Sequence, residues 1–258
     1  MSLAIVTGGA TGIGAATVRK FASEGFNVAF LDINIRDGKK LESESYSGSI
    51  LFLETDVSSK LAVEQSVNSA VEMFGQPVVL FANAGVFRPT SIFELSEDDV
   101  NFMIDINIKG ILYSVAAVAG YMRDAKKGAI VLMSSEQAFV GKNGCLVYGA
   151  TKGAIAQMTK GLSVELSPYG VRVNAVCPGT VRTPLTERVF QQVAENNFNG
   201  DLEAAWKAES MAYPIGRVAE ANEIAEVVFF LSQENSSFMT GALVPVDGGL
   251  TSQAPLIS

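Results

Sequence analysis

The chain contains no histidine, and that absence removes every mechanism that needs an imidazole base, the Ser-His-Asp triad included. Proton transfer falls to tyrosine, lysine, aspartate, glutamate or cysteine. Cysteine is scarce too: Cys145 and Cys177 are too few for a disulfide framework and lack the paired Cys/His spacing of a zinc site. Both read as free thiols, and no metal is expected. Positive charge is also short, with 19 Lys and Arg against 27 Asp and Glu and a net charge of −8. Without a basic run there is no electrostatic footprint for nucleic acid. The longest apolar stretches, such as Ala225 to Leu231 and Ile111 to Met122, fall short of a bilayer span, so no membrane partner is expected. The first residues, Met-Ser-Leu-Ala-Ile-Val-Thr, enter a strand at once and leave no room for a signal peptide. The cytoplasm is the expected location.

What is plentiful is apolar side chain, 48% of 258 residues. That suits a sheet covered on both faces, with apolar subunit contacts besides. Strand-like runs are read at Leu3–Thr7, Asn27–Asp32, Ser49–Asp56, Val78–Ala82, Ala129–Ser134, Arg172–Cys177 and Ala242–Val246. Helical patterns over Ile13–Glu24, Lys60–Phe74, Asp98–Arg123, Tyr148–Leu166 and Glu223–Ser232 separate most of them. This alternation predicts an α/β fold: one Rossmann-type, doubly wound, mainly parallel seven-stranded sheet with helices on both faces. No linker or internal repeat divides the chain, so residues 1–258 are read as a single domain. The exception is Thr183 to Tyr213, helical in character and carrying Phe190, Phe198, Trp206 and Tyr213. It is expected to be a substrate lid or wall, the alternative being a helical surface insertion.

Thr7-Gly8-Gly9-Ala10-Thr11-Gly12-Ile13-Gly14 lies between the first strand and the first helix. Its glycines permit a tight turn and let backbone amides approach a pyrophosphate at a helix N-terminus. Asp32 ends the second strand eighteen residues after Gly14, where a carboxylate can accept hydrogen bonds from an adenosine ribose and repel a 2′-phosphate. With no Arg or Lys in the turn, the expected cofactor is NAD rather than NADP; the alternative is that Asp32 merely caps a turn. Asp56, Asn83, Ser135 and Pro178-Gly179 each fall at or just beyond a strand's C-terminal end, the edge where open parallel sheets bind ligands. Singly, each is also an ordinary turn former. Tyr148 and Lys152 stand four apart at a helix start and share a face, where an ammonium would lower the phenol's pKa. Such a pair is common on surfaces and becomes specific only in company.

The company is a resemblance. The glycine turn, Ala82-Asn83-Ala84-Gly85, Asn107, Ser134-Ser135, Tyr148-Gly-Ala-Thr-Lys152, Arg172-Val-Asn-Ala-Val-Cys-Pro-Gly-Thr180 and Phe238-Met-Thr-Gly-Ala-Leu-Val-Pro-Val-Asp-Gly-Gly249 follow one another over nearly the whole chain. Together they resemble the short-chain dehydrogenase/reductase family, in its branch of about 250 residues. The resemblance implies that Ser135 polarises the substrate oxygen and that Tyr148 exchanges the proton with it. It implies further that Lys152 binds the nicotinamide ribose and depresses the tyrosine pKa, and that Asn107 holds a water linking that lysine to solvent. For the cofactor it implies Gly8, Thr11, Gly12, Ile13 and Gly14 at the pyrophosphate, and Asp56 and Val57 at the adenine. Asn83, Ala84 and Gly85 would lie along the adenosine ribose, and Pro178, Gly179, Thr180, Val181 and Thr183 beside the carboxamide. Ala82 departs from the family's frequent asparagine and removes one structural hydrogen bond.

The expected function is NAD(H)-dependent interconversion of a secondary alcohol and a ketone on a small, polar substrate: a polyol, a sugar derivative or a hydroxy acid. Arg88, Glu136, Gln137 and Lys142 are the polar residues that would face it, unless they are solvated loop positions. The alternatives are an NADPH-dependent reductase of 3-oxoacyl thioesters, against which Asp32 argues, and a steroid-like ketone reductase served by the 183–213 aromatics. A non-catalytic nucleotide sensor is a remote third. Cys145 is read as a small buried hydrophobe outside the site. The resemblance also implies a homo-oligomer, a tetramer, to which Ile111–Met122 could contribute if it does not face its own sheet.

Overall fold

The computed structural model describes residues 1–253 and begins with the β-α alternation expected of it. Its elements are β1 (Leu3–Thr7), α1 (Gly12–Ser23), β2 (Asn27–Asp32), α2 (Ile35–Glu42), β3 (Ile50–Glu54), α3 (Lys60–Phe74) and β4 (Pro77–Ala82). Then come α4 (Glu97–Ile104), a π-helical turn at Asp105–Lys109, α5 (Gly110–Ala125), β5 (Gly128–Met133), α6 (Leu146–Leu166) and β6 (Val171–Pro178). The short strands β7 (Val181–Arg182) and β8 (Ala219–Glu220) bracket α7 (Pro184–Asn197) and α8 (Leu202–Ser210), before α9 (Ala221–Ser232) and β9 (Leu243–Val246).

The main sheet has seven strands in the order β3-β2-β1-β4-β5-β6-β9, every pair parallel. Chain order reverses between β1 and β4, and beyond the C-terminal ends of those strands lies the crevice where such sheets take ligands. All five residues of β1 are buried because both faces are covered. Leu3 and Ile5 point into one core with Val67, Ile111, Val115 and Ile155; Ala4 and Val6 point into the other with Val18, Phe21, Ile224 and Val228.

Two local features escape the periodicity. Helix α2 spans only eight residues, is mostly polar and buries only Gly38 and Leu41, so no apolar run marks it in the sequence. Asn34 starts it by accepting from the Asp37 amide at 3.2 Å, and a side chain at Gly38 would run into the Phe52 ring. The helix read over Asp98–Arg123 divides at the π turn, whose ladder resumes when the Gly110 amide donates to the Asp105 carbonyl. Taken together, Glu97–Ala125 is long and apolar enough by length and composition to cross a bilayer. Yet Ile111, Val115, Val118 and Met122 are packed against the sheet, which makes this stretch a core helix.

Residues 183–213 form a small layer of their own. Phe190 stacks on Trp206 with ring centroids 4.1 Å apart, and Ala194, Tyr213 and Val218 complete a separate apolar cluster. That cluster consumes the aromatics expected to be available to a substrate: of Phe190, Phe198, Trp206 and Tyr213, only Phe190 lines the central cavity.

Candidate active site at the C-terminal edge of the sheet

Residues from the loops after β1, β2, β3, β4, β5 and β6, with α6 and α7, enclose one cavity of about 940 Å³. This is at the upper end of small-molecule pockets. All of the sequence-predicted site residues line it except Gly14 and Asn107.

The nucleotide half is built from backbone. Gly8 and Gly12 have φ of +65° and +54°, conformations that side chains oppose. The Gly8 amide donates to the Leu31 carbonyl at 2.7 Å, which ties the turn to β2. Gly14 stands behind the cavity wall because a Cβ there would come within 2.0 Å of the Gly8 carbonyl oxygen. Its contribution is closeness of helix to turn. Asp32 braces the same turn, accepting from the Ala10 amide through one oxygen and the Asn34 amide through the other, each at 2.9 Å. Both readings of Asp32 therefore meet in one carboxylate, since it caps the turn and also lines the cavity. Asp56 accepts from the Ser58 amide and hydroxyl, at 2.9 and 2.7 Å, and sets the bend before α3, while Val57 packs beneath it.

Asn83 gives both side-chain hydrogens to the turn, donating to the Thr7 and Gly8 carbonyls at 3.0 Å each. The amides of Asn83 and Ala84 donate back to the Thr7 hydroxyl at 3.1 Å. Four bonds so lock β4 to the glycine turn. Ala82, the departure from the family pattern, is fully buried in the core, where an alanine leaves no polar group wanting a partner. Beyond β6, Gly179 donates to Val246 at 3.2 Å, Thr180 donates through its amide to the Tyr213 hydroxyl at 2.7 Å, and Thr183 caps α7.

The reacting end is built from side chains. Ser135 ends the loop after β5 and accepts from the Gln137 amide at 3.2 Å, while its own hydroxyl donates to Glu136 Oε2 at 3.1 Å. Tyr148 and Lys152 rise from the first turns of α6, and Phe87 meets the tyrosine ring edge-on at 5.4 Å between centroids. Lys152 is buried and donates to the Met133 carbonyl at 2.9 Å, with its ammonium 5.3 Å from the tyrosine ring centre. Burial lowers its pKa to about 8, with the Cys177 and Glu136 side chains opposing.

Tyr148 corrects an expectation. Its phenol is pushed above the ordinary value rather than below it, first by burial and then by the nearby Glu136 carboxylate, against a lowering from the Ser135 hydroxyl. The ammonium sits over the ring and bonds to a main-chain carbonyl instead of standing at the phenol oxygen, so its influence is weak in this arrangement. The side chain of Asn107 is likewise already engaged. It accepts from the Val86 amide at 2.8 Å and donates to the Val86 carbonyl and Thr151 hydroxyl, at 3.0 and 3.2 Å. What the amide visibly does is pin the loop after β4 to α6.

Arg88, Glu136, Gln137 and Lys142 all line the cavity; Glu136 is buried, whereas the Arg88 and Lys142 side chains are also solvated, each close to half exposed. Arg88 pairs with Asp99 at 2.7 Å and lies over the Phe102 ring. Cys145, set aside from the site on sequence, lines it as well. Glu209 was invisible to the sequence. From α8 it accepts from Thr180 at 2.6 Å and from Lys142 at 2.9 Å; burial pushes its carboxyl up, and these bonds outweigh that and hold it below the usual range. Nothing in its local pattern separates Glu209 from a solvated helical glutamate.

A family model described as enoyl-(acyl carrier protein) reductase matches residues 8–251. Oxidoreductase UcpA of Escherichia coli K12 is 38% identical over 250 residues, covering 96% of this chain and 94% of that protein. The 3-oxoacyl-[acyl-carrier-protein] reductase FabG of Thermotoga maritima is 33% identical over 248 residues, covering 95% and 96%. Among solved structures, the aldohexose dehydrogenase of Thermoplasma acidophilum superposes with a TM-score of 0.88 at 31% identity, over 100% of this chain and 96% of that one. With such matches running the length of both partners, the chain belongs to the short-chain dehydrogenase/reductase family of nicotinamide-dependent oxidoreductases acting on CH–OH groups.

Proposed function

We propose that the chain interconverts a small polar secondary alcohol and its ketone using NAD(H), with Tyr148 as the acid/base. The observation that carries this is the convergence of Ser135, Tyr148 and Lys152 at one end of a cavity whose other end is the glycine turn and Asp32. The backbone cradle fits a dinucleotide: two glycines at positive φ and a third at which a Cβ would strike backbone leave main-chain amides facing the crevice at the start of α1. Bound there, the cofactor supplies hydride exchange; the chain supplies orientation and proton handling.

Ser135 donates one hydrogen bond to the reacting oxygen and orients it. Tyr148 delivers a proton to that oxygen during reduction and receives it during oxidation. Lys152, buried and charged below its pKa of about 8, places a positive charge 5.3 Å from the Tyr148 ring centre that favours the phenolate, and it is the residue that would hold the nicotinamide ribose. Asn107 keeps the β4 loop and α6 in register for this exchange. Asp32 supports NAD over NADP, because a 2′-phosphate beside it would face a carboxylate that the turn holds in place.

Replacing Tyr148 with Phe removes the proton path and is expected to lower kcat by about 10³-fold while leaving NADH affinity nearly unchanged. A mutant at wild-type rate rejects the mechanism. Titration of NADH against NADPH checks the cofactor, and comparable affinities reject the charge argument. The charged residues Glu136, Lys142 and Glu209 on the cavity wall favour the sugar-like direction of the aldohexose dehydrogenase over a steroid-like ring, and three of the four aromatics of residues 183–213 lie off the cavity. A thioester reductase like the Thermotoga relative is the second reading. Turnover of a 3-oxoacyl thioester with NADPH, exceeding that of every polar alcohol with NAD, would select it.

A further inference from the structure

Glu136 adjoins the catalytic pair, and the proton-exchange scheme gives it no part. Its side chain is only about 5% exposed and lines the cavity. A buried carboxylate keeps its charge only where donors satisfy it. Among the described side chains, the one donor within hydrogen-bond distance is the Ser135 hydroxyl, at 3.1 Å.

Serine has a single hydroxyl hydrogen. In the resting arrangement it goes to Glu136, while the Gln137 amide occupies a lone pair on the same oxygen. When a ketone enters, that hydrogen must turn to the substrate oxygen. Glu136 is then left buried and short of a donor beside the reacting carbon. Leaving such a group unpaired costs about 1–3 kcal/mol, more if it is charged, so a substrate that brings its own donor is favoured over one that does not.

The position of that donor follows from the geometry. The carboxylate lies one hydrogen bond from Ser135 Oγ, which itself lies one hydrogen bond from the reacting oxygen. On a substrate, a gauche hydroxyl on the adjacent carbon stands about 3 Å from the reacting oxygen and can replace the serine on the carboxylate. Charge narrows the class further. Of the charged groups on the wall, Lys142 pairs with Glu209 and Arg88 with Asp99, which leaves Glu136 and Lys152 as the charges beside Ser135 and Tyr148 that have no ion pair among the described residues. An anionic substituent beside Glu136 would be repelled by it, and a cationic one would gain that carboxylate but lose its hydration and face the Lys152 ammonium, which already bears on Glu136.

Building on the alcohol/ketone reading above, we propose that Glu136 is a specificity-determining residue that binds a hydroxyl on the carbon next to the reacting one. The substrate is then a neutral vicinal diol and its product the matching hydroxyketone, and the hydroxy acids otherwise compatible with a polar pocket are disfavoured.

Four small alcohols that differ only in one substituent test this: propane-1,2-diol, propan-2-ol, 1-aminopropan-2-ol and lactate. Their binding to the preformed enzyme–NADH complex is measured by calorimetry, where no turnover occurs, and their oxidation is measured separately with NAD. The diol is expected to bind at least tenfold tighter than propan-2-ol, and Glu136→Leu to remove most of that preference. Glu136→Gln, which keeps an acceptor oxygen and the side-chain shape, is expected to retain part of it; this variant decides the matter if the leucine variant does not fold. Equal binding of diol and mono-ol by the wild type overturns the inference, as does an unchanged ratio in the variants. Tighter binding of the amino alcohol or of lactate than of the diol overturns the neutral class. Selective diol binding without oxidation of any alcohol would instead reject the alcohol/ketone reading, so the two failures are distinct.

Discussion

The two ends of the cavity are made of different material. The end beside β1 presents a glycine turn of main chain, braced by one backbone bond, Gly8 to Leu31, and by the Asn83 and Asp32 side chains, which bond Thr7, Gly8 and Ala10. The substrate end is side chain, with a Lys142–Glu209 pair joining the loop before α6 to α8 and Glu136 sharing a proton with Ser135. The first arrangement ties the turn to β2 and β4, so loosening it also loosens the sheet edge. The second is a set of replaceable contacts on a frame that survives their loss, which lets specificity change without destabilising the enzyme.

Gly14→Ala should break the comparison at its strongest point. A methyl group 2.0 Å from the Gly8 carbonyl oxygen cannot be accommodated without moving α1 off the turn. A loss of more than about 4 kcal/mol in urea unfolding is expected, with NADH affinity abolished. Next comes Asn83→Ala, which strips two donors from carbonyls of the turn; about 2–3 kcal/mol and at least a tenfold loss of NADH affinity are expected. Unchanged stability in both variants would mean that the nucleotide end is as dispensable as the other.

Glu209→Gln tests the opposite side. It removes the charge from a side chain only 15% exposed but keeps an oxygen that can accept from Thr180 and Lys142, so unfolding stability should change by no more than about 1–2 kcal/mol. The substrate KM is expected to rise about threefold to tenfold with NADH binding unaltered. A large fall in stability would erase the distinction drawn between the two ends. The smallest effect is in pH. Burial, then the Glu136 carboxylate, raises the Tyr148 pKa. Oxidation needs the phenolate, so its rate climbs with pH, and in Glu136→Gln the climb should begin at lower pH because one opposing charge is gone. A climb displaced to higher pH would contradict the electrostatics assigned to Glu136.

The same division governs how much could be read from sequence. The turn, Asp32, Asn83 and the Tyr148/Lys152 pair follow strands whose apolar runs are strong, so their positions at the sheet edge were legible. Six of the seven strand readings agree with the structure to within one residue at each end, and Ser49–Asp56 overran Ile50–Glu54. Helix α2 was missed because it is two turns long and mostly charged, with only Ile35 and Leu41 apolar, so no apolar run announces it. Glu209 was missed because what brings it to Lys142 is the folding of α7 and α8 onto an aromatic cluster, a tertiary event with no local signature. The pKa direction of Tyr148 was misjudged for a related reason: spacing puts an ammonium on the same helix face, but the carbonyl of Met133, from another strand, decides where that ammonium rests.

The bonds from Asn83 also bear on how the molecule is assembled. They join residues 76 and 75 positions apart, so the glycine turn is finished only after the chain has been made through β4 and that strand has docked beside β1. Closure of so long a segment is slow compared with helix formation. A nascent chain that has emerged only through α3 carries the glycine turn without the clasp that holds it, and the turn is complete only once β4 and Asn83, about a third of the way along the 258 residues, have followed.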